Sequence, residues 1–83
     1  MRTVYKYSID GKHEIPHSAK LVHFGGDPQG DLCAWFEVDT DNSPSKVAFA
    51  VIGTGHTVPE GSKHVGTTKD GPFIWHFYAV GLQ

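Results

Sequence analysis

The stretch Val51–Pro59, which reads VIGTGHTVP, places small polar residues and a histidine directly after an apolar segment. The Gly53-Thr54-Gly55 run can offer backbone N–H groups to an anion, and His56 adds a ring donor. A dinucleotide or phosphate loop needs a helix N-terminus behind its glycines, and the Val58-Pro59 pair before a predicted strand does not supply one. The run is therefore either an anion-binding loop or a purely conformational turn, and the Rossmann and P-loop classes are excluded.

A second polar set comes from an internal repeat, because His13 and Lys20 recur as His56 and Lys63 at an offset of 43 residues. If an approximate twofold axis relates the two copies, these four cations can meet in one cleft for an anionic ligand. The alternative is structural, with the histidines bracing turns and the lysines decorating edge strands. Together with Gly53, Thr54, Gly55 and Trp75, these four residues form the predicted ligand-binding set.

The other reactive residue types do not fall into catalytic or metal-binding patterns. No compact ligand spacing joins the histidines to the acidic residues, so no metal site is predicted. Aspartates in turns usually bond local backbone, and a lone cysteine in an apolar segment is usually a small core residue. The residues considered are His56, His64, His76, Asp27, Asp31, Asp39, Asp41, Asp70 and Cys33. The sequence therefore predicts neither an enzyme nor a cofactor.

The elements that must position these residues are strands, since apolar residues alternate with period two between glycine, proline and aspartate clusters. Strands are predicted at 2–9, 20–25, 31–39, 46–53, 63–68 and 72–80, with little or no helix. The last strand is bulky on both faces, which predicts a central position or an interface. The Asp70-Gly71 pair predicts a tight hairpin before it.

The repeat divides the single predicted domain, 1–83, into copies at 1–43 and 44–83. Each copy carries the pattern His-x-(Ile or Val)-Pro, as His13 to Pro16 and His56 to Pro59. Proline holds its neighbour in extended geometry, so this pattern predicts a rigid corner between strands. Two βββ units related by a twofold predict a small antiparallel sandwich or partly open barrel of about six strands.

Composition narrows the class of protein further. The formal net charge is −2, with seven basic and nine acidic residues, which argues against duplex nucleic acid as a partner. No leader-like or membrane-spanning apolar segment is evident, and the single Cys33 favours a reducing compartment, so we expect a cytoplasmic protein without membrane contact. A chain this short buries a small share of its surface, which favours a homo-oligomer.

Several motifs stand out along the chain, among them the Ile15-Pro16 turn, the Gly53 to Pro59 run, His64-Val65-Gly66-Thr67 and Phe73-Ile74-Trp75-His76. Together they resemble a family of short uncharacterised proteins of tailed phages and prophages. The resemblance implies a phage origin and carries no activity. It favours a small accessory protein that acts in the host cytoplasm by stoichiometric binding, with a nucleotide-derived anionic defence signal as the expected ligand. The alternatives are direct inhibition of a host protein and a minor role in the virion or its assembly.

Overall fold

Seven strands and no helix make up the fold in the computed structural model, which describes all 83 residues. The strands are β1 Arg2–Ser8, β2 Lys12–Pro16, β3 Lys20–Gly26, β4 Leu32–Asp39, β5 Pro44–Gly53, β6 Lys63–Asp70 and β7 Phe73–Val80. The first sheet has the order β1-β4-β3 and the second sheet has the order β2-β5-β7-β6, with every pair antiparallel. The predicted all-β class, built from two antiparallel sheets without a closed barrel, is confirmed.

The core lies between the two sheets, where β3 packs against β6 and β2 packs against β4. Alternate residues of the central strands point inward, so Phe36 of β4 and Phe77 of β7 are fully buried. Phe49 of β5 contacts both rings, at centroid distances of 6.1 Å from Phe36 and 4.8 Å from Phe77. Edge-on and offset aromatic contacts of this kind add to the free energy of burial. β7 is a central strand, as its two bulky faces predict.

One strand was missed by the sequence prediction, because β2 was assigned to the proline corner. β2 has a single inward apolar residue, Ile15, and it pairs with β5 in the second sheet rather than with β1 or β3, its neighbours in the chain. A strand of five residues carries too little alternation to be recognised without that partner. Pro16 lies at its end opposite Pro44, where neither residue needs a backbone donor.

The two copies of the repeat have the same strand order. β1, β3 and β4 of the first copy form a sheet ordered β1-β4-β3, and their counterparts β5, β6 and β7 are ordered β5-β7-β6. A β-bulge interrupts β3 between Leu21 and His23, and another interrupts β6 between His64 and Gly66, 43 positions later. The two halves of the chain therefore share a strand order and the position of a bulge.

The two copies are not related by the expected twofold axis. A twofold axis between the two sheets would make equivalent residues of the two copies either both point into the core or both point outward. Tyr5 points inward opposite Phe36, whereas its counterpart Ala48 points outward opposite Val80. Tyr7 lies against His13 near the start of β2, and Tyr5 lines a cavity with Pro16 at its end, so β2 runs opposite to β1. Because β2 is also antiparallel to β5, β1 and β5 run the same way. The second sheet is therefore stacked on the first like a translated copy.

No helix is long and apolar enough to cross a bilayer.

Candidate ligand-binding site

The end of the second sheet carries a cavity of about 380 Å³, at the point where β5 ends and β7 begins. It is lined by Gly53, Thr54, His56, Pro72, Phe73, Ile74 and Trp75. Four of these residues, Gly53, Thr54, His56 and Trp75, belong to the predicted ligand-binding set. Backbone pairing of Gly53 with Trp75 brings the two sequence segments together across β5 and β7.

The glycine loop lets His56 approach the sheet closely. Gly55 has a φ of +92°, a left-handed conformation that favours glycine, and the His56 N–H donates to the Gly53 carbonyl at 3.1 Å. A Cβ on Gly53 would lie only 3.1 Å from His56 Cδ2 and 3.5 Å from the Trp75 ring. Both glycines are therefore needed for the imidazole to rest against the floor of the cavity.

An aromatic platform forms the other wall. The rings of Phe73 and Trp75 are stacked with centroids 5.6 Å apart and an interplanar angle of 26°. Phe73 is 56% exposed, whereas Trp75 is half-buried. The indole Nε1 of Trp75 is buried and has no hydrogen-bond acceptor in the chain. An exposed ring backed by a second ring suits a planar ligand that stacks on its free face.

A chain of hydrogen bonds connects this cavity to the outer surface of the second sheet. Thr54 Oγ1 lies 2.9 Å from His76 Nε2, and Thr67 Oγ1 lies 3.1 Å from His76 Nδ1. His64 Nε2 continues the chain to Thr67 Oγ1 at 2.8 Å. Both ring nitrogens of His76 are thus held by hydroxyls, which fixes the orientation of the ring. The sequence pattern was weighed for a metal site at His64 and His76, which is not predicted, and it does not indicate this network, because the pairing of β6 with β7 creates it.

The remaining predicted residues lie apart from this cavity. The His13 ring packs 4.9 Å from Phe49 and 5.4 Å from Tyr7, and its Nε2 donates to the Asp10 carbonyl at 3.2 Å. Lys20 lines a separate cavity of about 340 Å³ beside Glu37. Lys63 begins β6 and lines none of the cavities. Because the copies are stacked rather than related by a twofold, His13, Lys20, His56 and Lys63 do not share a cleft within one chain.

A larger cavity of about 610 Å³ lies beside the β3–β4 loop, where Asp27 is nine-tenths buried. Burial alone would raise the pKa of Asp27, but the N–H groups of Asp31 and Gln29 and the Lys6 ammonium donate to its carboxylate and hold the pKa below its ordinary value. Burial and the same carboxylate raise the pKa of the Cys33 thiol. Asp27 therefore has a structural task in its loop, and Cys33 stays protonated at neutral pH.

Among protein-family models, the Domain of unknown function DUF7352 matches residues 1–83, the whole chain. The chain belongs to the DUF7352 family. Neither the curated proteins nor the solved structures contain a match to this DUF7352 domain. Its site has to be interpreted from its own geometry, in which the glycine loop, His56 and the Phe73–Trp75 stack are the residues that face a common cavity.

Proposed function

We propose that this DUF7352 domain is a non-enzymatic binding protein whose ligand is a small, planar, anionic molecule of the nucleotide class. The observation that carries the proposal is the exposed Phe73 ring, stacked on Trp75 beside His56 and the Gly53-Thr54 loop. A cavity of about 380 Å³ lies within the range of about 300–1,000 Å³ usual for small-molecule sites. Stacking on one face and polar donors at the rim are the two interactions that a nucleotide needs.

Two charged residues of β6, Lys69 and Asp70, pair with the start of β7 beside the cavity but do not line it. Lys69 lies opposite Ile74 in the backbone register and forms no ion pair within the chain. Asp70, opposite Phe73, is the nearby carboxylate that an anionic group has to avoid. The anionic part of the ligand is therefore expected on the side of His56 and away from Asp70, with its base on Phe73. Thr54, whose Oγ1 is hydrogen-bonded to His76, supplies a hydroxyl between the anionic part and the base of the ligand.

The biological setting of the proposal is a phage infection. The motifs that resemble small phage proteins suggest that the protein acts in the host cytoplasm and sequesters a nucleotide-derived defence signal. Sequestration requires only stoichiometric binding, which a stacking platform beside polar donors can supply. The expected result is a tight complex that releases the ligand unchanged.

Isothermal titration calorimetry against cyclic oligonucleotides and ADP-ribose derivatives tests the proposal. One or more of these ligands should bind the wild type, and Phe73→Ala should weaken binding by roughly 5- to 150-fold, the loss of one base-stacking contact. Val22→Ala, at an equally exposed apolar residue outside the cavity, is the matched control and should not change the affinity. No binding by any member of the panel, or equal losses in both variants, would overturn the proposal.

A second candidate function is direct inhibition of a host protein. It is favoured by the exposed apolar side chains of Ile74 and Val80, which are 42% and 40% exposed on the outer surface of the second sheet. An inhibitor of this kind would retain a protein in stoichiometric amount in a pull-down from host lysate, and Val80→Asp would release it. The ligand-binding function predicts instead a small molecule that co-purifies and is lost in Phe73→Ala.

A further inference from the structure

A threonine hydroxyl lies between two histidines on the outer surface of the second sheet, and this arrangement restricts where protons can sit. Thr67 Oγ1 lies 2.8 Å from His64 Nε2 and 3.1 Å from His76 Nδ1. The other ring nitrogen of His76, Nε2, lies 2.9 Å from Thr54 Oγ1. Thr54 also lines the cavity beside Phe73. The four polar side chains therefore form a continuous relay from the surface to the cavity, which we call the hydroxyl–imidazole relay.

Strand pairing holds the members of the relay in place. Thr67 and His76 are direct partners across β6 and β7, and His64 is the partner of Tyr78 in the same ladder. The His64 ring also packs edge-on against the Tyr78 ring, with centroids 5.3 Å apart. Thr54 follows directly after β5, the strand that pairs with the other side of β7. Each donor and acceptor is thus carried by a strand or by the first residue after one.

A hydroxyl has one proton and a neutral imidazole has one N–H, so the relay has two fully satisfied neutral states. In the first state His64 Nε2–H donates to Thr67, and the Thr67 hydroxyl donates to His76 Nδ1. His76 Nε2–H then donates to Thr54 Oγ1, and the Thr54 proton is free to point into the cavity. In the second state each of these hydrogen bonds is reversed, and the Thr54 proton is used within the relay.

The tautomers of the two histidines favour the first state. Both rings then carry the proton on Nε2, which is the more stable tautomer of a free histidine side chain, whereas the second state needs both protons on Nδ1. Protonation of either ring also agrees with the first state, because an imidazolium has two N–H donors and no acceptor. A His76 imidazolium donates to Thr54 directly. A His64 imidazolium donates to Thr67, whose own proton then goes to His76.

We propose that the hydroxyl–imidazole relay holds the Thr54 hydroxyl as a hydrogen-bond donor toward the cavity, so that the ligand atom bound there is an acceptor such as a phosphate oxygen. His76, Thr67 and His64 are positioning residues, since they act through Thr54. The identity of the ligand rests on the proposed function, whereas the direction of the relay is a property of the free protein. An amino group at the same place would meet a second donor and lose its hydrogen bond to water.

Proton–nitrogen correlation NMR of the free protein, at about pH 8.5 and above the usual titration range of histidine, measures the direction of the relay. His76 should carry its proton on Nε2. Thr67→Val removes the hydroxyl that donates to Nδ1 and should distribute the His76 proton over both nitrogens, whereas Thr67→Ser should keep the wild-type tautomer. Thr68→Val is the matched control, because Thr68 lies on the opposite face of β6 and takes no part in the relay.

Calorimetry with two related probes measures the consequence for binding. Adenosine monophosphate should bind more tightly than the analogue in which an amino group replaces the phosphate. Thr54→Val should weaken binding of the monophosphate by roughly 2- to 12-fold, the net contribution of one hydrogen bond. Thr67→Val should weaken it in the same direction, whereas Thr67→Ser and Thr68→Val should bind like the wild type.

A wild-type His76 with its proton on Nδ1, or a Thr67→Val variant with unchanged His76 nitrogen signals, would overturn the relay. Monophosphate binding that is unaffected by Thr54→Val, or tighter binding of the amino analogue, would overturn the donor role of Thr54. A wild type that binds no nucleotide contradicts the proposed function instead. The tautomer of His76 is measured without ligand and still decides the direction of the relay, so the two failures are distinguishable.

Discussion

The two copies of the repeat carry the same His-x-aliphatic-Pro pattern in their first connection, and the outcome differs. In the first copy the segment forms β2 on the edge of β5, and Ile15 is fully buried. In the second copy Gly55–Pro59 stays a loop, and the equivalent Val58 is 41% exposed. The pattern therefore favours an extended segment with a fixed corner, but a strand forms only where an opposite sheet offers an unpaired edge.

The two connections also have different roles, one in the core and one at the candidate site. The first connection completes the core, because β2 adds Ile15 and the inward ring of His13 to the second sheet. The second connection lies outside the core, and its glycines bring His56 to the cavity beside Trp75. A repeat thus provides one copy for stability and leaves the other free to form a site.

Alanine substitution at the two equivalent aliphatic positions should show the largest difference between the two connections. Ile15→Ala should lower the free energy of unfolding by about 2–5 kcal/mol, because it leaves a cavity in a fully buried position. Val58→Ala should change it by no more than about 0.5 kcal/mol, as expected of an exposed loop residue. Urea unfolding followed by tryptophan fluorescence measures both. Similar losses in the two variants would mean that Val58 is buried in solution and that the two connections are alike.

Gly53 and Gly26 both lie at the ends of strands, but only Gly53 lies beside the site. Gly53→Ala should lower the free energy of unfolding by about 1 kcal/mol and shift the NMR signals of the His56 ring, since the new methyl group meets His56 Cδ2. Gly26→Ala meets no atom within 4 Å and should be neutral or stabilising by up to about 0.5 kcal/mol. Unchanged His56 signals in Gly53→Ala would show that the imidazole does not rest on the glycine.

The smallest effect is expected from a comparison of Asp27 with Asp70, the equivalent residue 43 positions later in the repeat. Because the pKa of Asp27 is lowered in the folded state, its carboxylate stabilises the fold above the ordinary pKa of about 3.9. That contribution disappears as the pH falls through the lower folded-state value. Asp27→Asn should therefore destabilise the protein at pH 7, and the difference from wild type should shrink at pH 2–3.

Asp70→Asn is the control for this pH dependence, because the Asp70 carboxylate forms neither an ion pair nor a side-chain hydrogen bond. Its free energy of unfolding, measured by urea titration across the same pH range, should follow the wild type. An Asp27→Asn variant whose deficit is the same at pH 7 and pH 2–3 would show that hydrogen bonding by the ionised carboxylate does not contribute.

The sequence alone determined the all-β class of the fold and located the loop that carries Gly53, Thr54 and His56. Period-two alternation and turn residues located six of the seven strands, because these signals are local. The left-handed turn at Gly55 and the tight turn at Gly71 likewise follow from residue types that tolerate a positive φ. Gly53, Thr54, His56 and Trp75 were named from sequence and line one cavity, since they flank a pair of neighbouring strands.

Only the tertiary structure decided which sheet each segment joins and which face each residue presents. β2 is a strand because β5 lies beside it, and His76 is held between Thr54 and Thr67 because three strands bring them into register. The stacked relation of the copies, which separates His13, Lys20 and Lys63 from His56, follows from long-range pairing that no local pattern encodes. Local spacing determines geometry within one strand, whereas the packing of sheets depends on all the buried side chains at once.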